Sequence, residues 1–198
     1  LKYAQTLDDS RAMDGVSITR IEKTMGGAGL AQERLAALLE CSRAIHASET
    51  AETMAQALAT AANAGTAFSN VAVVRPVGSD GRAELLAASG DIEEDGTLNL
   101  SQSLLSAAME GEPVQFKKTE VVEEQAASIL QYSIEEALCI PIKIGQAIVG
   151  CIYADNRDGQ VGFGTVDDDI EFCTGLAEFA ALAMSNLMRI DIERRHTC

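Results

Sequence analysis

The sequence predicts an α+β fold: a central antiparallel sheet of five to six strands, helices on both faces, and long helices at the N- and C-terminal ends. Three observations carry this. Two Ile- and Val-rich runs, residues 137–144 and 147–154, flank the two-residue turn Gly145-Gln146, and Gly at the first turn position permits the positive φ of a tight hairpin. Apolar residues recur at helical spacing from Leu30 onward and again over the last thirty or so residues. The connections between the strand-like runs are short, which favours hairpins over parallel crossovers.

The elements follow in order. Residues 1–29 are mixed in character and end in Gly26-Gly27-Ala28-Gly29; they are expected to be a linker or the tail of an upstream domain, with one short strand around residues 16–21. The domain is expected over residues 30–190, and residues 191–198 begin a downstream linker, so the chain reads as a piece of a longer protein. In the first helix Leu35, Leu38, Leu39 and Ile45 form one stripe, with Glu33, Arg34, Glu40 and Arg43 away from it. Ser48 or Thr50 caps a second helix that runs to Asn63, with Gly65 as its stop. Strands at residues 68–76 and 83–89 flank the turn Gly78-Ser79-Asp80-Gly81. An acidic loop spans residues 90–96. A short helix over residues 100–110 closes at Gly111 and Pro113, and Val114-Gln115-Phe116 makes a short strand. Residues 120–132 read as a loosely held helix before the closing hairpin.

The last helix is the longest. Thr165 is its expected N-cap, and Asp167, Asp168 and Asp169 complement the positive end of the helix dipole. It runs to about Arg194, roughly 45 Å at ~1.5 Å per residue. Phe172, Phe179 and Leu182 are expected to face the sheet. Leu176, Ala180, Ala183, Leu187 and Ile190 repeat with the spacing of a short coiled-coil seam and are expected to join two copies of the chain. The terminal helices should cover one face of the sheet, and the short helices of residues 98–132 the other, less tightly.

Composition narrows the function. Apolar residues make up 47% of the 198, but aromatics only 4%, with no Trp; the core is expected to be built of Ala, Leu, Ile, Val and Met. A formal charge of −15 lacks the basic footprint that nucleic acid or an anionic membrane surface requires. The cysteines, Cys41, Cys139, Cys151, Cys173 and Cys198, form no CxxC pair; most lie in apolar runs, as small buried hydrophobes of a reduced, cytoplasmic protein do. No apolar run reaches membrane-spanning length. There is no P-loop, no GxGxxG and no interior His suited to Ser-His-Asp chemistry, and the Gly-rich residues 159–164 read as a connector. No enzyme active site, metal or cofactor is expected.

Several segments together resemble one family. Leu38-Leu39-Glu40-Cys41-Ser42-Arg43-Ala44-Ile45 resembles the first helix of bacterial GAF regulators, a PAS-related fold. Residues 133–150 resemble the penultimate hairpin of that family, and Tyr153-Ala154-Asp155-Asn156-Arg157, Phe163 and Val166-Asp167-Asp168-Asp169 resemble its junction between last strand and final helix. The resemblance covers about residues 30–190. It implies a sensory and dimerisation module of a signalling protein, with a small-molecule ligand held between the sheet and the looser helices. Ser89, Asp91, Ser128, Tyr132, Cys139 and Tyr153 are the residues that would line that pocket; one rich in Ala and Ile suits a small apolar or aromatic ligand, or none. The cyclic-nucleotide subset of the family has Asn-Lys, a Phe and then Asp-Glu. Here the matching positions are Asn156-Arg157, Phe163 and Asp167-Asp168, with Arg for Lys and Asp for Glu. This set is expected to act as a structural clasp, Arg157 pairing with Asp167 to pin the helix start to the strand end. A homodimer through the first and last helices is the expected partner arrangement.

Overall fold

The computed structural model describes residues 19–20, 32–77, 82–90, 92–94, 97–98, 100–118, 129, 133–157 and 166–196. In chain order the elements are β1 (Thr19–Arg20), α1 (Gln32–His46), α2 (Ala51–Gly65), β2 (Asn70–Val77), β3 (Arg82–Ser89), β4 (Glu93–Glu94), β5 (Thr97–Leu98), α3 (Gln102–Ala108), β6 (Val114–Lys117), β7 (Ile134–Ile144), β8 (Ala147–Arg157) and α4 (Val166–His196). The main sheet has six strands in the order β1-β6-β7-β8-β2-β3, with every neighbouring pair antiparallel. The fold class read from the sequence is the one observed.

Local chemistry accounts for the frame. Gly145 takes the left-handed φ of +61° that the hairpin turn needs, and Ile144 then pairs with Ala147 across it. Thr50 caps α2 in a capping box with Thr53. One piece lies where no regular structure was expected: the acidic loop contains the small hairpin β4–β5. The short strand expected around residues 16–21 is observed as β1, which pairs with β6 at the sheet edge.

Both sheet faces are buried, so β7 and β8 read as continuous apolar runs rather than as alternating ones. On one face Leu138, Ile140, Ile142, Ile152 and Ala154 pack with residues of α2 and α4. On the other, Ala72, Val74, Cys139, Cys151 and Tyr153 pack with Leu104, Leu105 and Ala108 of α3 and with Ile129. The expected helix over residues 120–132 lies outside the described residues except for Ile129, which is helical and buried.

The α1 helix packs chiefly against α2 and α4 and so forms a third layer. A helix in that position buries a narrow stripe, here Leu38, Cys41 and Ile45. Leu35 and Leu39, expected in the same stripe, are 51% and 52% exposed. On α4, Phe172 is buried as expected and Phe179 partly so, but Leu182 faces solvent at 55% exposure. Leu176, Ala180 and Ala183 belong to the core of their own chain, so these members of the expected seam are already occupied by intramolecular packing. Leu187 and Ile190 have side chains outside the described residues.

Candidate functional site

The α3 face of the sheet carries a buried polar network centred on β8. Residues 153, 155 and 157 share a face by strand alternation, and they carry Tyr, Asp and Arg. Asp155 is fully buried. Its Oδ2 accepts from Tyr153 Oη at 2.9 Å and its Oδ1 from Asn70 Nδ2 at 2.8 Å. Arg157 adds Nε to Oδ1 at 3.2 Å and Nη2 to Oδ2 at 3.4 Å, a bidentate ion pair. Tyr153 Oη also accepts from the backbone N–H of Ser101, the N-cap of α3, at 3.4 Å.

Chemically this network anchors rather than reacts. Burial pushes the Tyr153 hydroxyl well above its ordinary pKa, with the Asp155 charge adding to it. Burial does the same to the Cys139 thiol, reinforced by its contact with Cys151. Both stay protonated near neutral pH, and a protonated, fully buried thiol is a poor nucleophile. Among the described residues no group of three His, Cys, Asp or Glu could hold a metal ion.

Of the expected pocket residues, Cys139 and Tyr153 are brought together as direct cross-strand partners on the α3 face. Ser89 is not with them. It lies opposite Val71, whose side chain joins the α2–α4 side, so strand parity places Ser89 on the far face. Asp91, Ser128 and Tyr132 lie outside the described residues.

Of the expected clasp, the side chains of Asn156 and Arg157 are described. Arg157 bonds Asp155 on its own strand; Phe163 and the Asp167 side chain lie outside the described residues. Asn156, buried, reaches the chain between α2 and β2: its Oδ1 accepts from Ser69 N at 2.8 Å and its Nδ2 donates to Ala67 O at 3.1 Å. The same Ala67 donates its N–H to Asp169 Oδ2 at 3.4 Å, and Asp169, in the first turn of α4, pairs with Arg34 of α1. The strand end and the last helix therefore meet through the backbone of one residue, Ala67, and a mostly buried ion pair. Arg34 Nη1 is buried without a hydrogen bond, while its guanidinium lies 6.0 Å from the Phe172 ring centroid, a cation–π contact that offsets part of that cost.

Burial raises the Asp169 carboxyl above its ordinary value of 3.8, against the opposing pull of Arg34 and Ala67. A carboxyl whose pKa is higher folded than unfolded binds its proton more tightly in the native state. Its ionisation then costs stability above that range, and the cost is relieved as pH falls through the raised value towards 3.8. Wild type is expected to gain stability relative to Asp169→Asn as pH is lowered through this window, read from urea midpoints at a series of pH values. A wild-type advantage that shrinks on acidification would overturn the assignment.

Sequence reasoning missed Asp155, Asn70 and Ser101 as buried polar groups, and took Arg34 for a solvent-facing residue. The signal for the first lay in strand parity, since Tyr153, Asp155 and Arg157 share one face.

A family model described as GAF domain matches residues 33–184. No curated protein matches the chain in sequence. Several solved structures share its fold. One is the chromophore-binding domain of an unusual bacteriophytochrome from R. palustris, at 11% identity and TM-score 0.61, covering 89% of this chain and 70% of that one. Another is the GAF domain of a candidate sensor histidine kinase from Pseudomonas syringae pv. tomato, at 16% identity and TM-score 0.53, covering 82% and 92%. A third is the GAF domain of the Acinetobacter phosphoenolpyruvate-protein phosphotransferase, at 12% identity and TM-score 0.59, covering 81% and 97%.

Proposed function

Because the chain belongs to the GAF domain family, a sensory and regulatory domain of bacterial signalling proteins, we propose that it is the non-catalytic sensor module of a cytoplasmic signal-transduction protein, binding a small molecule on the α3 face and working as a homodimer. Among the described residues, no helix is long and apolar enough to cross a membrane. The observation that carries the dimer is the outer surface of the helical layer. Leu35 and Leu39 on α1 and Leu182 on α4 are each more than half exposed, on two helices that pack against each other. Fully burying an exposed leucine side chain is worth about 1.5–3 kcal/mol; these are about half exposed, so covering the six across two copies gains roughly half that for each and offsets part of the cost of association. The seam is thus moved from Leu176, Ala180 and Ala183 to the opposite side of the same helix pair. A shift of the α3 face on ligand binding would reach this pair through the sheet, biasing how the two copies pack.

Light scattering tests the dimer. Wild type is expected at twice the chain mass, more firmly so in high salt, because a charge of −15 per chain opposes association until it is screened. Leu39→Glu with Leu182→Glu is expected to give a folded monomer; an unchanged mass refutes this seam. Thermal shift against nucleotides, amino acids and small aromatics tests the ligand, with a stabiliser at a hundred times its Kd contributing about 2.7 kcal/mol. A second reading, a ligand-free dimerisation scaffold, is favoured by the mutual bonding of Tyr153, Asp155 and Asn70, which leaves these groups turned to one another rather than to a guest. A panel without any stabiliser selects it.

A further inference from the structure

The helix α3 has seven residues, too few to hold itself in water. Its order comes from outside: from Leu104, Leu105, Ala107 and Ala108, buried on the sheet, and from its first turn. That turn is built on Ser101. The Ser101 Oγ accepts from Leu104 N at 3.5 Å, and the Ser101 N–H donates to Tyr153 Oη. The hydroxyl in turn donates a hydrogen bond to Asp155, which is held by Asn70 of β2 and by Arg157. Each of Ser101, Tyr153 and Asp155 is fully buried. A marginal helix is thus tied, at its cap, to the neighbouring interior strands β8 and β2, whereas the helices α2 and α4 on the other face are long enough to be held by apolar packing along their contact.

We propose that Tyr153 is a gate residue: its hydroxyl tethers α3 shut over the sheet, and breaking the Ser101–Tyr153–Asp155 line opens the α3 face locally while the rest of the fold stays closed. What opening serves rests on the ligand reading above, and Tyr153 then governs access to the site instead of contacting the guest as an open pocket wall. Opening costs the Ser101 N–H this acceptor, costs Asp155 one donor, and exposes the apolar side of a helix of about two turns. It disturbs none of the bonds at Asn156, Ala67, Asp169 and Arg34.

The test is hydrogen exchange on the full chain, comparing wild type with Tyr153→Phe, which keeps the ring and removes the tether. Exchange at residues 102–108 is expected to quicken roughly five- to tenfold, the loss of about one net hydrogen bond, with α2 and α4 unchanged. Binding of 8-anilinonaphthalene-1-sulfonate, an anionic dye that lodges on exposed apolar surface, should rise in the same variant. Unchanged exchange in α3 overturns the gate, and so does an equal acceleration in every element, which would make the hydroxyl a contributor to global stability only. If the variant fails to fold, wild type still decides. Its α3 amides should exchange through an opening insensitive to low urea, while α2 amides follow global unfolding; urea-dependent exchange in both refutes the proposal. The two readings fail separately. A compound panel without a stabiliser, beside a responsive α3, removes the ligand and leaves the gate; a stabilising compound beside an unresponsive α3 does the reverse.

Discussion

Asp155→Ala is expected to destabilise the fold by about 3–5 kcal/mol, the range for removing one partner of a buried ion pair. The carboxylate is fully buried, and the substitution removes an acceptor from a tyrosine hydroxyl, an asparagine amide and a guanidinium that all aim at it. Each buried donor left unmade costs roughly 1–3 kcal/mol. The Arg157 side chain retains 16% exposure and recovers part of its hydration, which keeps the total within that range. Against a total stability of about 5–15 kcal/mol, the variant stands near the edge of folding at 37 °C. Asp155→Asn keeps an acceptor for Tyr153 and should cost markedly less. Urea denaturation of the three proteins measures this ordering. A loss below about 1 kcal/mol for the alanine variant would show that the network adds little beyond packing.

Gly65→Ala is expected to lose stability where helix propensity predicts a gain. Gly65 is the last residue of α2, and in an open helix the change would be worth up to about 1 kcal/mol in favour of Ala. Here a Cβ would lie 2.2 Å from Phe172 Cζ and 2.3 Å from Cε1, and that ring is fully buried among α1, α2 and α4. The ring has to move, and overpacking of this kind costs about 1–3 kcal/mol. The clash therefore outweighs the propensity, and the melting temperature by circular dichroism should fall. Gly65→Ala paired with Phe172→Leu should lose less than the sum of the two single changes, because the smaller side chain vacates the contested space. A higher melting temperature for the single variant would mean that the ring has room to yield.

These two sites differ in how far the sequence announced them. The hairpin about Gly145 and the capped helix after Thr50 were legible because local chemistry alone specifies them. The layer occupied by each helix was not. Leu176, Ala180 and Ala183 show coiled-coil spacing because a helix lying on a sheet presents residues at the same intervals as one lying on another helix; spacing names a face but not its occupant. Leu35 and Leu39 fell out of the α1 stripe for a related reason, since a helix in a third layer touches only the groove between two others. Asp155 was read only as part of the junction between last strand and final helix, and a charge at a strand end is ordinarily solvated. Its burial follows from long-range pairing with Asn70, which no local pattern encodes. Gly65 was recognised as a helix stop, whereas its tighter constraint comes from a ring more than a hundred positions later.

The backbone of Ala67 offers its carbonyl oxygen to Asn156 and its N–H to Asp169. Both links belong to the main chain, so any residue other than proline at position 67 preserves them. Divergence at position 67 would then leave no trace of its importance, while the side chains at positions 156 and 169 have to keep their identity for these two links to survive. A ranking of positions by side-chain identity would overlook the one that both partners share.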